Sequence, residues 1–418
     1  MNTATTTRPG QTFPKGAPAT ARSALRLLQN LRHGALTLHL PDGSQRRFGE
    51  HPQQHAMHSP HHPSASITLH NWNVFGAALK SGDIGFAESF IAGDWTTPDL
   101  TELLKVFSAN RQQVDAMIFG TWLGRLLYRV KHLLQHNSRA NSRKNIHAHY
   151  DLGNAFYRLW LDETMNYSSA LFAGDLSQPL AQAQSAKVRR ALQMVQVKAG
   201  DRVLEIGCGW GALAEMAGLE NAAHVTGVTL STEQLAFAQA RLQRLGLDGL
   251  SDLRLQDYRD IQDAPFDAIC SIEMIEAVGR EYWPTYFATL ARLLKPGGRA
   301  CVQSIVIDDA LFERYASSTD FIQQYIFPGG MLPCPREFKA QAQAAGLEVV
   351  DQFAFGHDYA ETLKRWRESF MAQHAQVLQH GFDERFVRIW EFYLAYCEAA
   401  FLENNIDVLQ YTLQKRAL

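Results

Sequence analysis

The chain has 418 residues, of which 46% are hydrophobic and 20% charged, and a formal net charge of -2. That length exceeds what one ordinary core needs, so two domains are expected, and the near-neutral balance excludes a molecule built as a whole to attract nucleic acid. No apolar run of about 18 residues is present, which excludes a membrane-spanning helix on the sequence alone.

Residues 1–20 (MNTATTTRPGQTFPKGAPAT) lack a secretory apolar core and read as a disordered tail. Residues 21–33 (ARSALRLLQNLRH) have the periodicity of a short amphipathic helix. Residues 34–48 alternate around Pro41-Asp42-Gly43, the signal of a hairpin. The following loop carries His51, His55, His58, His61 and His62. A histidine cluster can bind metal, but this segment offers no framework to hold ligand geometry, so a solvated Pro-rich loop and no metal site are expected. A strand over SITLHNW and a helix over VFGAALKSG follow, and residues 21–115 are read as one small α+β domain.

Residues 116–148 contain no Asp or Glu and carry Arg125, Arg129, Lys131, Arg139, Arg143 and Lys144 beside a stripe of leucines. A basic amphipathic helix of this kind, over residues 123–144, suits an anionic membrane surface. A linker helix packed on the next domain is the plainer alternative. From residue 149 to 418 strand and helix signals alternate: RVLEI, VTGVTL, LRLQD, FDAICSI and RACVQSI are strands separated by helical patterns. Such alternation specifies a mostly parallel, doubly wound α/β sheet of the Rossmann-like kind. From about residue 357 the aromatics fall at helical spacing, which reads as a closing helical pair. The five cysteines, at 208, 270, 301, 334 and 397, form no CxxC pair and read as reduced thiols of a cytoplasmic protein.

The segment VLEIGCGWGALA, residues 203–214, carries the chemistry. A strand ends at Ile206, and Gly207, Gly209 and Gly211 let the backbone turn tightly and approach a ligand without a Cβ in the way. The spacing is GxGxG, not the GxGxxG of a nicotinamide site, and Thr229 stands where that fingerprint wants an acidic residue. No GKS or GKT follows, which excludes a P-loop. Glu205 ahead of a GxGxG turn resembles the S-adenosylmethionine loop of class I methyltransferases.

Taken in order, HYDLGNAFYRLWLDETMNYSSALF (149–172), VLEIGCGWGALA, GVTLSTEQ (227–234), LQDYRD (255–260), SIEMIEAVG (271–279), YIFPGGMLP (325–333) and FGHDYAETLKRW (355–366) resemble the cyclopropane-fatty-acyl-phospholipid synthase family, including the mycolic acid cyclopropane synthases. The resemblance implies S-adenosylmethionine as cofactor. Tyr167 and Ser168 would meet its methionine end, Tyr150 would also bind it, and Glu205, Gly207, Cys208, Gly209 and Gly211 would belong to its loop. Thr229 and Gln234 would serve its ribose, and Gln256 and Asp257 its adenine. The implied reaction moves the cofactor's methyl carbon to the double bond of an unsaturated phospholipid acyl chain. A proton must then leave the resulting carbocation, giving a cyclopropane ring or, after a hydride shift, a methylene branch. The family draws that proton onto a bound bicarbonate, caged by a Cys, a Glu, a His, a backbone group and a Tyr. Here those positions hold Ser169, Glu276, Gln303, Ile305 and Tyr359.

Ser and Gln can donate hydrogen bonds to an anion, but Gln lacks the charge of a protonated His, so two readings stay open: an altered deprotonation step, or neutral variants with bicarbonate still bound. Glu276 also has a plainer reading, as a helix residue with Glu273 on the same face three positions earlier. The resemblance further suggests a homodimer, and the basic helix a cytoplasmic protein peripheral at the inner face of the membrane. Two rival readings are an S-adenosylmethionine enzyme for a soluble or carrier-bound unsaturated substrate, and a non-catalytic homologue that binds cofactor or lipid.

Overall fold

In the computed structural model the described residues are Pro14, 16–49, 63–111 and 152–416. The His51–His62 loop, the basic stretch 123–144 and Tyr150 lie outside them. The described residues fall into two compact units, one within 14–111 and one within 152–416.

The first unit contains α1 (Ala19–Leu28), β1 (Ala35–His39), β2 (Gln45–Gly49), β3 (Ser64–Leu69), α2 (Asn73–Ile91), β4 (Trp95–Thr96) and α3 (Leu100–Ala109). Its sheet runs β2-β1-β3-β4. The expected hairpin pairs β1 with β2, and Asp42 closes its turn by accepting from the backbone N–H and hydroxyl of Ser44. The helix anticipated to stop near Gly82 instead kinks there, at φ 65°, and continues to Ile91. What extends it is burial: Phe90 and Trp95 pack in the core with tilted rings, centroids 4.9 Å apart, and the indole N–H of Trp95 donates to Ser89. Asn110 ties the end of α3 to the loop after α1, accepting from the backbone of Arg32 and His33 and donating to His33 and Val106.

The second unit is built on seven strands: β5 (Arg202–Ile206), β6 (His224–Thr229), β7 (Ser251–Leu255), β8 (Phe266–Ile272), β9 (Leu294–Ile307), β10 (Leu347–Ala354) and β11 (Ile406–Lys415). Their order is β10-β11-β9-β8-β5-β6-β7. The five from β9 to β7 are parallel, and β11 lies antiparallel between β9 and β10. Successive strand residues point to opposite faces, and both faces are covered. Val203, Ala268 and Cys301 pack on one side with α4 (Leu180–Met194), α5 (Ala212–Asn221) and α6 (Thr232–Arg244). Leu204, Ile269 and Val302 pack on the other with α7 (Trp283–Leu293) and α8 (Pro335–Ala344). The doubly wound α/β sheet read from the sequence is therefore present. The C-terminal ends of β5 and β8, adjacent in the sheet, open the crevice where such sheets bind ligands.

Two strands were not foreseen. β11 is buried along its middle, so it has no alternation, and Gln410 and Thr412 break its apolar run. β10 carries Asp351 and Gln352 in a strand that reads as mixed. The expected closing helices are α9 (Gly356–Ala372) and α10 (Glu384–Leu402), which pack as a pair between those strands in sequence.

Tyr411 of β11 is fully buried and stacks on Phe338, with ring centroids 4.0 Å apart. Its hydroxyl has no hydrogen-bond partner among the described residues. Tyr411→Ala is expected to cost about 3–5 kcal/mol in urea unfolding, and Tyr411→Phe under about 1 kcal/mol. Equal losses in the two variants would mean that the hydroxyl, not the ring, holds β11 in place.

Candidate active site

The loop after β5 turns on positive-φ backbone at Gly207 (85°), Gly209 (49°) and Gly211 (84°). The N–H groups of Gly207 and Cys208 both donate to the carbonyl of Val228 on β6, which fastens the loop to the neighbouring strand end. A Cβ on Gly207 would stand 3.1 Å from Met274, so a side chain there is opposed by both space and backbone. Gly211 has a different task. A Cβ on it would lie 3.0 Å from that of Ala238, so it allows α5 to pack on α6 rather than lining the cleft.

Tyr167, Ser168, Glu205, Gly207, Cys208, Gly209, Thr229, Gln234, Gln256 and Asp257 all line one cleft at the ends of β5, β6, β7 and β8, as the resemblance implied. Thr229 donates its hydroxyl to Gln234, which orders the end of β6 without an acidic residue. Both carboxylate oxygens of Asp257 are held by Arg259. The hydroxyl of Tyr167 shares a 2.7 Å hydrogen bond with that of Tyr393 on α10.

Glu205 is buried, and its Oε2 has no partner among the described residues. Burial pushes its carboxyl up to about 8, opposed by the charge of Lys187. Lys187, fully buried on α4, donates to the hydroxyl of Ser168 at 2.5 Å, and burial brings its ammonium down to about 8. An orphaned carboxyl oxygen and a buried amine on one wall fit the charged amino-acid end of S-adenosylmethionine. The glycine turn leaves room for the cofactor to approach the backbone.

The expected anion cage is arranged differently. Glu276 and Ile305, expected as separate members of the cage, bond to each other: Glu276 accepts from the backbone N–H of Ile305 at 2.5 Å. The other three members turn to Glu273. Its Oε1 accepts from the backbone N–H of Ser169 at 2.8 Å and from Gln303 Nε2 at 2.7 Å, and its Oε2 accepts from the hydroxyl of Tyr359 at 2.6 Å. The Ser169 hydroxyl is spent on the carbonyl of Ala170. Every donor that would hold a bicarbonate is thus already engaged, and the group does not fit unless Glu273 is displaced. The helical pairing offered as the plain reading of Glu276 is also absent. Residues 275–277 make one 3-10 turn, and Glu273 sits before it at φ 50°.

The oxygen Oε2 of Glu276 is shut from solvent and unpartnered among the described residues. Burial, then the neighbouring charge of Glu273, pushes its carboxyl up to about 8. Tyr359 is held well above the ordinary tyrosine range by burial and by Glu273, so it stays a donor.

Lys187, Glu273 and Gln410 escaped the sequence reading as site residues. Gln410 Nε2 donates to Gln303 Oε1, and Arg190 donates to Gln410 Oε1. One signal was available for Lys187: it is the charged residue in the stripe Ala183, Gln184, Lys187, Val188, Ala191 that α4 buries. Among the described residues no group of His, Cys, Asp and Glu could hold a metal ion, and none of the cysteines is in a disulfide.

The mycolic acid cyclopropane synthetase family matches residues 137–411. The chain is 38% identical over 413 residues to tuberculostearic acid methyltransferase UfaA1 of Mycobacterium tuberculosis, covering 96% of this chain and 93% of that one. It is 35% identical over 354 residues to the cyclopropane-fatty-acyl-phospholipid synthase of Escherichia coli K12, covering 83% and 87%. The crystal structure of mycolic acid cyclopropane synthase CmaA1 complexed with SAH and CTAB is similar at a TM-score of 0.62 and 32% identity, covering 65% of this chain and 98% of that chain.

A carboxyl raised in the folded state stabilises the fold fully below its ordinary 4.5, and loses that contribution as pH rises through about 8. Glu276→Gln removes this loss. Its stability relative to the parent chain is therefore expected to rise between these two pH values, by about 5 kcal/mol at most. Parallel stability curves for the two proteins would show that Glu276 is ionised throughout.

Proposed function

Because the chain belongs to the mycolic acid cyclopropane synthetase family, S-adenosylmethionine is its cofactor, and we propose that it methylates the double bond of an unsaturated phospholipid acyl chain. The product is a cyclopropane or a methylene-branched chain, and a methyl-branched chain would follow only on reduction of that methylene by a separate hydride donor. The observation that carries this reading is the pair of carboxyls at the end of β8, Glu273 on the cleft wall and Glu276 just behind it. A methylated oxygen or nitrogen loses a proton that water can take. A methylated alkene has a C–H bond to break, and that needs a positioned base in a dry site.

When bound, S-adenosylmethionine supplies an electrophilic methyl group. The residues of this chain do the rest. Tyr167, Ser168 and Lys187 flank the methionine end, with Glu205 as acceptor for its charged group. Thr229 and Gln234 meet the ribose, and Gln256 and Asp257 the adenine. Aromatic rings close the region beside Tyr167. Its ring centroid lies 5.4 Å from those of Trp160 and Trp366, and Tyr359 lies 6.1 Å from Trp366. Such a wall excludes water from an acyl chain, and its π faces favour the positive charge that develops on it.

A phospholipid substrate requires the protein to reach a bilayer surface. No helix of the described residues is long and apolar enough to cross a membrane. The basic residues of 123–144, with the N-terminal domain, would dock on anionic lipid, each cation contributing about 1 kcal/mol near the surface. The protein would then be cytoplasmic and peripheral at the inner face, as a homodimer, with no nucleic-acid partner. Two relatives support the substrate class by name, a cyclopropane-fatty-acyl-phospholipid synthase and a tuberculostearic acid methyltransferase.

The test incubates purified protein with methyl-¹³C S-adenosylmethionine and liposomes of monounsaturated phospholipid, then reads the extracted acyl chains by carbon and proton NMR. Label in the acyl chain is expected, as upfield ring signals or as vinylic methylene signals. Label only in an unsaturated soluble or carrier-bound substrate would overturn the phospholipid assignment. Cofactor binding without turnover on any unsaturated lipid would make the chain a binding homologue.

A further inference from the structure

Of the two carboxyls at the end of β8, Glu273 occupies the centre of the donor set. Its three donors come from separate places in the chain: the loop at Ser169, the strand β9 at Gln303 and the helix α9 at Tyr359. A carboxylate has about four lone-pair sites. Two on Oε1 and one on Oε2 are taken, so the remaining acceptor direction is on Oε2, beside the Tyr359 hydroxyl. Glu273 lines the same cleft as the glycine loop and Glu205. It is held at φ 50°, a left-handed backbone conformation that a non-glycine residue keeps only when its surroundings impose it.

We propose that the carboxylate of Glu273 is the base that takes the proton after methyl transfer, standing in this chain where the family places an exogenous bicarbonate. The inference rests on the alkene-methylation reading. The alkene π pair forms the new carbon–carbon bond while the carbon–sulfur bond breaks with its pair left on sulfur. This leaves S-adenosylhomocysteine and a carbocation on the acyl chain. Glu273 Oε2 then forms an O–H bond as a C–H bond breaks. That C–H pair closes the ring or, after a hydride shift, forms the methylene double bond. The carboxylic acid so formed returns its proton to solvent through the cleft.

The surroundings suit this task. Glu276, raised to about 8, holds its proton at neutral pH and presents no second negative charge to Glu273. Burial also raises Glu273 above the ordinary carboxyl range, against the donors Tyr359 and Ser169 and the charge of Lys187. A carboxylate so placed is a stronger base than one in water. The exchange of histidine for glutamine at 303 follows from the same arrangement. A tethered carboxylate needs a neutral donor to position it, not a cation to recruit an anion from solution.

Two variants and one binding measurement test the proposal on the full chain. In CO2-free buffer Glu273→Gly is expected to lose at least about 100-fold in product formation, the range of a missing general base. Glycine accepts the φ of this position, so the empty donor set remains. Added bicarbonate or formate should restore turnover at least about tenfold. Glu273→Gln should fall as far and not be rescued, because its amide fills the space. The parent chain should be indifferent to bicarbonate. Titration of the apoproteins with ¹³C-bicarbonate, read by NMR line broadening, should show binding to Glu273→Gly and none to the parent. Retained S-adenosylmethionine binding in calorimetry certifies that each variant is folded.

Stimulation of the parent by bicarbonate, or bicarbonate binding to it, would overturn the proposal. So would full turnover in either variant, or a loss in folded Glu273→Gly that bicarbonate and formate leave unrescued. If the parent alkylates no lipid at all, the alkene-methylation reading fails, and the bicarbonate titration still decides whether Glu273 fills the anion's place.

Discussion

A carboxylate brought into the wall of a cleft has to be compensated where it sits, and the second unit is organised around meeting that demand at Glu273. Desolvating such a charge costs several kcal/mol, and charge-assisted hydrogen bonds return about 1.5–3 kcal/mol each. Ser169, Gln303 and Tyr359 supply three. None could do so unless β9 lay beside β8 and α9 packed over the end of the sheet. The demand propagates outward. Gln303 is fixed by Gln410 of β11, Gln410 by Arg190 of α4, and Arg190 by Asp351 of β10 at 3.0 Å. The antiparallel strand β11, inserted between β9 and β10, is therefore part of the site's support as much as of the core. A polar chain of this kind is either satisfied throughout or costly, which is why its members are buried together.

The same low-dielectric wall separates the protonation states of four groups. Glu205 and Glu276 are both pushed up to about 8 and hold protons at neutral pH, while Lys187, brought down to about 8, remains largely charged there. Burial raises Glu273 as well, opposed by its donors Tyr359 and Ser169, by the charge of Lys187 and by Gln303. Carboxyls that differ only in their surroundings are thus shifted by different neighbours: Glu205 orphaned at the cofactor end, Glu276 behind the wall, and Glu273 on it, where three donors oppose the rise. On the proposed reading, the cleft offers an acceptor for the amino-acid end of the cofactor and a base near the site of methyl transfer.

Much of this was legible in the residues, and the failures have physical causes. The alternating strands and helices announced the doubly wound sheet, and the GxGxG turn after RVLEI located the cleft, because backbone needs at a ligand-binding turn leave little choice of residue. Gly211 looked like a third cofactor glycine but serves helix packing, a distinction that depends on Ala238, distant in sequence. β11 hid because a strand buried on both faces shows no alternation. Glu276 stood at the matching position of a family motif, and so drew the attention that Glu273 deserved on geometry. Nothing local marks Glu273: its partners lie 104, 30 and 86 residues away. Lys187 was readable in principle, as a lysine on a buried helical stripe.

The central claim is that this chain carries its own carboxylate where its relatives' family recruits an anion. A crystal structure of the full chain with S-adenosylhomocysteine, grown in bicarbonate-saturated buffer, tests it most directly. The account predicts the Glu273 carboxyl between the Ser169 N–H, Gln303 and Tyr359, with no separate anion there. A planar anion bound to those three donors, with Glu273 turned away, would contradict it.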